Sequence, residues 1–293
     1  MFFEREGMSG LEEHLLTFTQ QTGREKVGSM FDVIIVGGGP AGLSAALNLG
    51  RSCRHVLLCD TAKPRNAPAI AAHGLLSRDG IAPTQLLQLG REQLHPYSNV
   101  ELREVEVLNA LPIENSFQIT LANGVQEEAR ALLLATGVRD ILPKIQGFAE
   151  FWGRGVFHCP YCQGWEVRDQ PLAIYGKGEQ GLGMALNLTN WSRDLVWCSD
   201  GPAEVSEQNL ALLARLQILV REEPIARLEG RQDDHMAQQE GQPSLLERIV
   251  FTTGESLPRH ALFLTPEQQH SALFTRLGVT KVNANGETEI PRL

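Results

Sequence analysis

The stretch Phe31-Asp32-Val33-Ile34-Ile35-Val36-Gly37-Gly38-Gly39-Pro40-Ala41-Gly42 decides the fold. Its first half is apolar and β-branched, the composition of a strand buried on both faces of a parallel sheet. Its second half satisfies G-x-G-x-x-G. Leu43 to Leu49 then reads as a helix, and His55-Val56-Leu57-Leu58-Cys59 as the next strand, closed by Asp60. Strand, glycine turn, helix, strand and acid, with the acid about 20 residues on, make a mononucleotide-binding unit. Gly37 makes the tight turn, Gly39 lets the backbone approach a pyrophosphate, and Gly42 lets the helix pack on the strand. The helix N-terminus offers free N–H groups to the phosphates. Asp60 is placed to take ribose hydroxyls.

The unit recurs. Pro171-Leu172-Ala173-Ile174-Tyr175 reads as a strand and enters Gly176-Lys177-Gly178-Glu179-Gln180-Gly181. Leu182 to Trp191 follows as a helix, and Leu195-Val196-Trp197-Cys198 as a strand reaching Asp200. Self-similarity of this kind marks a duplicated dinucleotide module. Between the two copies lies His158-Cys159-Pro160-Tyr161-Cys162-Gln163-Gly164, with two of the five cysteines spaced C-x-x-C. That spacing lets the sulfurs meet on one turn and one thiol lower the other's pKa. A structural disulfide and half a zinc site share the spacing. No second C-x-x-C or H-x-x-x-H completes a zinc set, so no metal is expected. Cys53, Cys59 and Cys198 read as small buried apolar residues.

Elsewhere the pattern is simpler. Lys63 to Pro68 is a loop by its prolines, and His73 and Arg78 read as surface loop. Thr84 to Leu94 reads as a helix. Val105-Glu106-Val107 and Phe117 to Leu121, with a turn at Asn123-Gly124, read as a β-meander inserted in the first domain. Ala131 to Ala135 is a buried strand ending at Thr136-Gly137, where small residues permit close approach of a ligand. Leu210–Leu216 reads as a helix, Ile218–Val220 as a strand, Arg231 to Pro243 as a mobile hairpin tip, and Ala261–Leu264 as a last strand. The chain has 293 residues and suggests two domains; hydrophobic content is 42% and charged content 21%, the balance of a soluble globular protein. A net charge of −9 argues against nucleic acid. No apolar run approaches the ~18 residues of a membrane span. An odd cysteine count with one close pair points to a reducing, cytoplasmic compartment. Met1 to Ser29 mixes charges with no apolar core, and is expected to be a disordered leader rather than a signal peptide.

Two dinucleotide modules with C-P-Y-C at the head of the second resemble the thioredoxin reductase family of flavoproteins, over roughly Met30 to Leu293. The resemblance implies an α/β fold of two doubly wound, three-layer Rossmann-like domains, the second inserted in the first. FAD falls to residues 30–146 plus 257–293, and a pyridine-nucleotide-like domain carrying the redox dithiol to 147–256. Gly37, Gly38, Gly39, Pro40, Ala41, Gly42, Asp60, Asn66, Thr136 and Gly137 would carry FAD, and Gly176, Gly178 and Gly181 the second nucleotide. Cys162 would face the flavin and Cys159 would exchange with the substrate. Implied partners are a thioredoxin-like protein or a small-molecule disulfide or dithiol. Dithiol oxidases that pass electrons to oxygen lie nearby in this resemblance, and a non-catalytic remnant is the contrasting reading.

Three departures bear on chemistry. The family's acid after the second cysteine is replaced by Gln163, leaving His158 and Glu166 as substitutes. The second module's strand end, Trp197-Cys198-Ser199-Asp200-Gly201, lacks the cations that bind the 2′-phosphate of NADPH. NADPH is therefore disfavoured, and NADH or no pyridine nucleotide is expected. The family's closing T-x-x-P-G motif stops here at Thr288-Glu289-Ile290-Pro291-Arg292-Leu293, as if truncated, which would weaken FAD binding and a homodimer.

Overall fold

The computed structural model describes residues 30–230, 246–278, 281–282 and 288–289. The expected leader and the tip at 231–243 lie outside them. The first module runs β1 (Phe31–Val36), α1 (Pro40–Arg51), β2 (Val56–Asp60), α2 (Pro83–Glu92), β3 (Val100–Glu104), β4 (Val107–Ile113), β5 (Ser116–Leu121) and β6 (Gln126–Leu134). Its sheet has the order β3-β2-β1-β6-β5-β4. β1 is central because both its faces are apolar: Ile34 and Ile35 point to opposite sides and are both fully buried. Ile34, Leu57, Ile119 and Leu121 build the core on one face. Ile35, Leu58, Leu43 of α1 and Leu87 of α2 build it on the other. α1 starts at Pro40, whose fixed φ suits a first helical position and whose missing N–H costs nothing there.

β6 serves two sheets' worth of pairing. Its first half runs antiparallel to β5, with Phe117 opposite Ala129, and its second half parallel to β1, with Ile34 opposite Leu132. The meander is therefore real, but its first strand is not Val105–Val107. Val100–Glu104 pairs parallel with β2, Val105 N–H closes onto the Asp60 carbonyl at 2.8 Å, and the chain breaks there before β4. Continuing the parallel sheet satisfies the β2 backbone edge, which a meander starting at Val105 would leave open.

The second module runs β7 (Val138–Ile141), β8 (Val156–Phe157), α3 (Pro160–Gln163), β9 (Leu172–Tyr175), α4 (Gly178–Leu188), β10 (Leu195–Cys198), α5 (Glu207–Arg215), β11 (Leu219–Arg221), β12 (Ile225–Gly230), β13 (Leu246–Phe251), β14 (Ser256–Pro258) and β15 (Ala261–Leu264). Its parallel sheet is ordered β11-β10-β9-β15-β8. Helix α5 is capped by Ser206, whose hydroxyl accepts the Asn209 N–H at 3.3 Å. Helices pack on one face through Leu182, Leu188, Trp197 and Leu213. The antiparallel β12-β13-β14 covers the other, where Phe148, Ile225, Ile249 and Phe251 meet the sheet.

The boundary expected at residue 257 moves. Ala261–Leu264 is hydrogen-bonded between β9 and β8, so it belongs to the second module. Only then does β16 (Glu267–His270) pair antiparallel with β7, and α6 (Ala272–Arg276) put Leu273 into the first core. The two crossings thus form one ribbon, and the second module is inserted in the first. The short β17 (Lys281–Val282) and β18 (Thr288–Glu289) pair antiparallel.

Candidate functional site

The first glycine turn is built as its residues dictate. Gly37 sits at φ +108°, and a side chain there would run into the Ala135 carbonyl. A side chain at Gly42 would strike the Gly37 carbonyl. Gly38 N–H donates to Asp60 Oδ1 at 3.1 Å, and a Cβ on Gly38 would lie 2.6 Å from that carboxylate. Gly39 is different: beyond its own chain neighbours, no atom of the described residues lies within 4 Å of where its Cβ would be. That open direction lies at the positive end of α1, whose first turn, Pro40-Ala41-Gly42, holds no acidic residue. Just past the end of β6, beside Gly37, Thr136 Oγ1 is buried with no partner among the described residues. Gly137 follows at φ +62°. Open space over Gly39, a positive helix end and an orphan hydroxyl fit the anionic centre of FAD.

Asp60 closes β2 beside the glycine turn. Its Oδ1 orients the glycine turn, and its Oδ2 is held by Arg91 of α2 at 2.7 Å. It braces the loop, and Arg91 could not be picked out from sequence. Asn66 lies exposed on the loop after β2, its carbonyl accepting the Ala69 N–H at 3.0 Å.

Cys159 and Cys162 form a disulfide, with Cα atoms 5.3 Å apart. Cys159 is the N-cap of α3 and Pro160 its first residue, so the turn closes through Cys162 N–H to the Cys159 carbonyl at 3.1 Å. Gly164 allows this turn to lie on Trp191, whose ring would be 2.9 Å from an added Cβ. Tyr161, between the cysteines, meets Trp191 edge-on and is 74% exposed. The dithiol turn is held against the first module. Gln163 Nε2 donates to the Ala71 carbonyl at 3.3 Å, and His73 Nε2 lies 3.4 Å from Glu166 Oε1. The other imidazole nitrogen is 3.6 Å from Asp79. His73 is thus no mere surface-loop residue; it bridges the modules beside the dithiol.

His158 stacks loosely on Trp152 and is half-buried. Burial, and then the positive Arg65, hold its pKa below the usual 6.5, against the opposing charge of Asp140. Arg65 and Asp140 are themselves a bidentate pair, both contacts at 2.7 Å. At neutral pH His158 is a neutral base, so it suits accepting a thiol proton rather than replacing a carboxylic acid. Burial also pushes the Cys59 and Cys198 thiols up to about 11 and about 12, which silences them as nucleophiles. Cys53 departs from expectation. It is exposed at φ +55°, just past the end of α1.

The second glycine turn is closed where the first is open. Gly176 sits at φ +141° and its carbonyl accepts the Trp197 indole N–H at 2.6 Å. Trp197 is fully buried under Gly181, where a Cβ would meet the indole at 2.5 Å. Gly178 N–H, at the start of α4, donates to the Ala203 carbonyl at 2.9 Å. Asp200 is spent: Oδ1 accepts the Ile225 N–H at 2.8 Å and Oδ2 the Tyr175 hydroxyl at 3.1 Å. Burial and that carboxylate push the Tyr175 phenol up to about 12.

Among the described residues no three His, Cys, Asp or Glu gather to hold a metal, and no helix is long and apolar enough to cross a membrane. Residues 31–293 match the family described as pyridine nucleotide-disulphide oxidoreductase. A probable thioredoxin reductase of Arthroderma benhamiae is 31% identical over 86% of this chain and 67% of its own length. The crystal structure of HlmI superposes with a TM-score of 0.79 at 35% identity, over 91% of this chain and 82% of that one. A putative thioredoxin reductase, TrxB, from Bacillus anthracis gives 0.78 at 32% identity, over 87% and 82%. Duplicated modules, an insertion and a disulfide at the junction, together with these likenesses, lead to one conclusion: the chain belongs to the pyridine nucleotide-disulphide oxidoreductase family, as a thioredoxin reductase-like, FAD-dependent enzyme acting on disulfides.

Proposed function

We propose that Cys159 exchanges with the sulfur of a substrate and that Cys162 exchanges electrons with FAD held over Gly37, Gly38, Gly39, Pro40, Ala41 and Gly42. The observation that carries this is the disulfide itself, placed at the junction and turned toward the first module by Gln163 and Glu166. FAD, when bound, supplies two-electron chemistry. The chain's own residues do the rest. Thr136 and the open turn at Gly39 hold the pyrophosphate region, and Asp60 with Arg91 keeps that turn in shape. His158, neutral at pH 7, takes a proton from an incoming thiol and so raises the thiolate needed for exchange. The exposed Tyr161 and Trp165 flank the dithiol and offer an aromatic rim to a small disulfide or dithiol or to a thioredoxin-like loop.

Family membership implies a pyridine nucleotide as well as FAD. The preference for NADH over NADPH now rests on the missing cations at Ser199-Asp200-Gly201 alone, because the Asp200 carboxylate is already engaged. Cytoplasmic placement accords with Cys53, an exposed thiol with no cysteine partner. The test of the dithiol roles uses Cys162→Ser and Cys159→Ser with an aromatic disulfide reagent, read by mass spectrometry. Cys162→Ser should trap a stable mixed disulfide at Cys159, and Cys159→Ser should label far more slowly. Equal labelling of both, or full turnover by either, would overturn the assignment.

A further inference from the structure

Arg91, which holds the acid behind the first glycine turn, does so with part of its guanidinium. Nη2 donates to Asp60 Oδ2, and Oδ1 of that carboxylate is taken by the Gly38 N–H. Nε is buried with no partner among the described residues. Arg65 is the contrast, since its Nε and Nη2 both meet Asp140. A guanidinium offers five N–H donors in a fixed fork, and a buried donor left unpaired costs free energy. Arg91 therefore carries donor capacity that the fold does not use, and its side chain is 28% exposed.

That side chain lines a cleft of about 420 Å³ between the end of α2 and β3, the outer strand of the first sheet. The size lies within the ~300–1,000 Å³ of small-ligand sites. His95, Tyr97 and Ser98 bring polar groups to it, and Leu94 and Leu102 an apolar wall. The corner is tightly built. Tyr97 N–H donates to the Leu94 carbonyl and Val100 N–H to the Tyr97 carbonyl, each at 3.0 Å. Gly50 of α1 lets Tyr97 lie close, since a Cβ there would stand 3.3 Å from the Tyr97 Cβ. Asn99 clamps the same corner, donating to the Gly50 and Arg54 carbonyls at 3.0 and 2.7 Å. Arg51 adds a second cation, donating to the Tyr97 hydroxyl at 2.9 Å. The neighbouring carboxylates are held: Glu92 accepts from Gln88 at 2.9 Å and Glu101 from Arg103 at 2.7 Å. Two guanidiniums, a polar rim and an apolar wall fit a small organic anion.

We infer that the cleft at Arg91 binds a small organic anion, a phosphate or carboxylate on an apolar body, and that this ligand weakens the hold of the first module on FAD. The route runs through two hydrogen bonds, Arg91 to Asp60 and Gly38 to Asp60. An anion on the free donors of Arg91 competes with Asp60 for the guanidinium. Asp60 then orients Gly38 less firmly, and the turn that meets the phosphates is less preformed. Coupling of this kind is reciprocal, so FAD weakens the anion by the same factor. The coupling, though not the cleft, rests on the placing of FAD over residues 37–42 proposed above.

The experiment takes the full chain and uses phenyl phosphate as the probe, with inorganic phosphate for the anion alone and benzyl alcohol for the body alone. Calorimetric titration of the apoprotein should show phenyl phosphate binding saturably at or below about 1 mM, at least about tenfold tighter than the other two. In FAD titrations at rising phenyl phosphate, the Kd of FAD should increase by about fivefold or more and then level off. Ser98→Trp and Leu102→Trp each place bulk in the cleft and leave Arg91 and Asp60 unaltered. Both should lose phenyl phosphate binding and its effect on FAD, while FAD alone binds as to the parent. No saturable binding, or undiminished binding in both variants, overturns the site. A Kd of FAD that rises without a plateau, or rises equally in both variants, marks direct competition at the pyrophosphate turn and overturns the coupling. Unchanged or tighter FAD binding overturns it too. If FAD does not bind at all, the cofactor placement fails and the coupling with it, and the apoprotein titration still decides the cleft.

Discussion

Replacing Gly39 with valine separates cofactor binding from folding. Gly39 lies at φ −72° and ψ −178°, extended backbone that valine adopts without strain, and beyond its chain neighbours no atom of the described residues lies within 4 Å of its Cβ position. The apoprotein should therefore change in stability by less than about 1 kcal/mol, the usual range for a compatible replacement of glycine. FAD should feel the change strongly. The new side chain fills the direction from which the phosphates approach the N-terminus of α1. Losing two hydrogen bonds to a charged phosphate, at about 1.5–3 kcal/mol each, predicts a fall in affinity of at least roughly 100-fold, at ~1.4 kcal/mol per tenfold. Gly42→Ala is the contrast. Its Cβ would strike the Gly37 carbonyl, so the apoprotein itself should lose about 1–3 kcal/mol through overpacking. Urea unfolding of the apoproteins and titration with FAD, followed by quenching of flavin fluorescence, read the two quantities separately. If Gly39→Val binds FAD like the parent, or destabilises the apoprotein as much as Gly42→Ala, the assignment of that open face to the cofactor is wrong.

Two further outcomes follow from the same geometry. Trp197 is fully buried and donates to the Gly176 carbonyl, so Trp197→Ala should destabilise the second module by about 3–5 kcal/mol, seen as a lower urea midpoint. His158 has a lowered pKa in the fold, so the unfolded chain takes up its proton first as pH falls through 6.5; stability is present above that pH and is lost below it. His158→Asn should flatten this loss between about pH 7 and pH 5 (bracketing the ordinary histidine value), and an unchanged slope in the urea midpoint would refute it.

The parts legible in the sequence were those whose physics is local. Gly37 needs its left-handed backbone, Cys159 and Cys162 need two residues between them, and Val36 and Cys198 end strands that any parallel sheet would bury on both faces. Such requirements act within a few residues and leave a pattern. The helix starts were less exact: α4 begins at Gly178, not Leu182, because its cap is the backbone of Lys177 rather than a side-chain signal. The tertiary structure alone decided the rest, because each remaining contact joins positions with no fixed spacing. Gln163 finds the Ala71 carbonyl 92 residues away, and His73 finds Glu166 across the module junction. Asp60 and Asp200 occupy the same place in the two repeats, yet one steadies an open turn with Arg91 and the other pins a closed one through Tyr175 and Ile225. Ala261–Leu264 was plainly a strand, but only its neighbours could assign it to a sheet. A repeat pattern records which backbone turns are allowed; whether a turn stays open depends on which distant carbonyl finds its N–H first, and that is settled by packing.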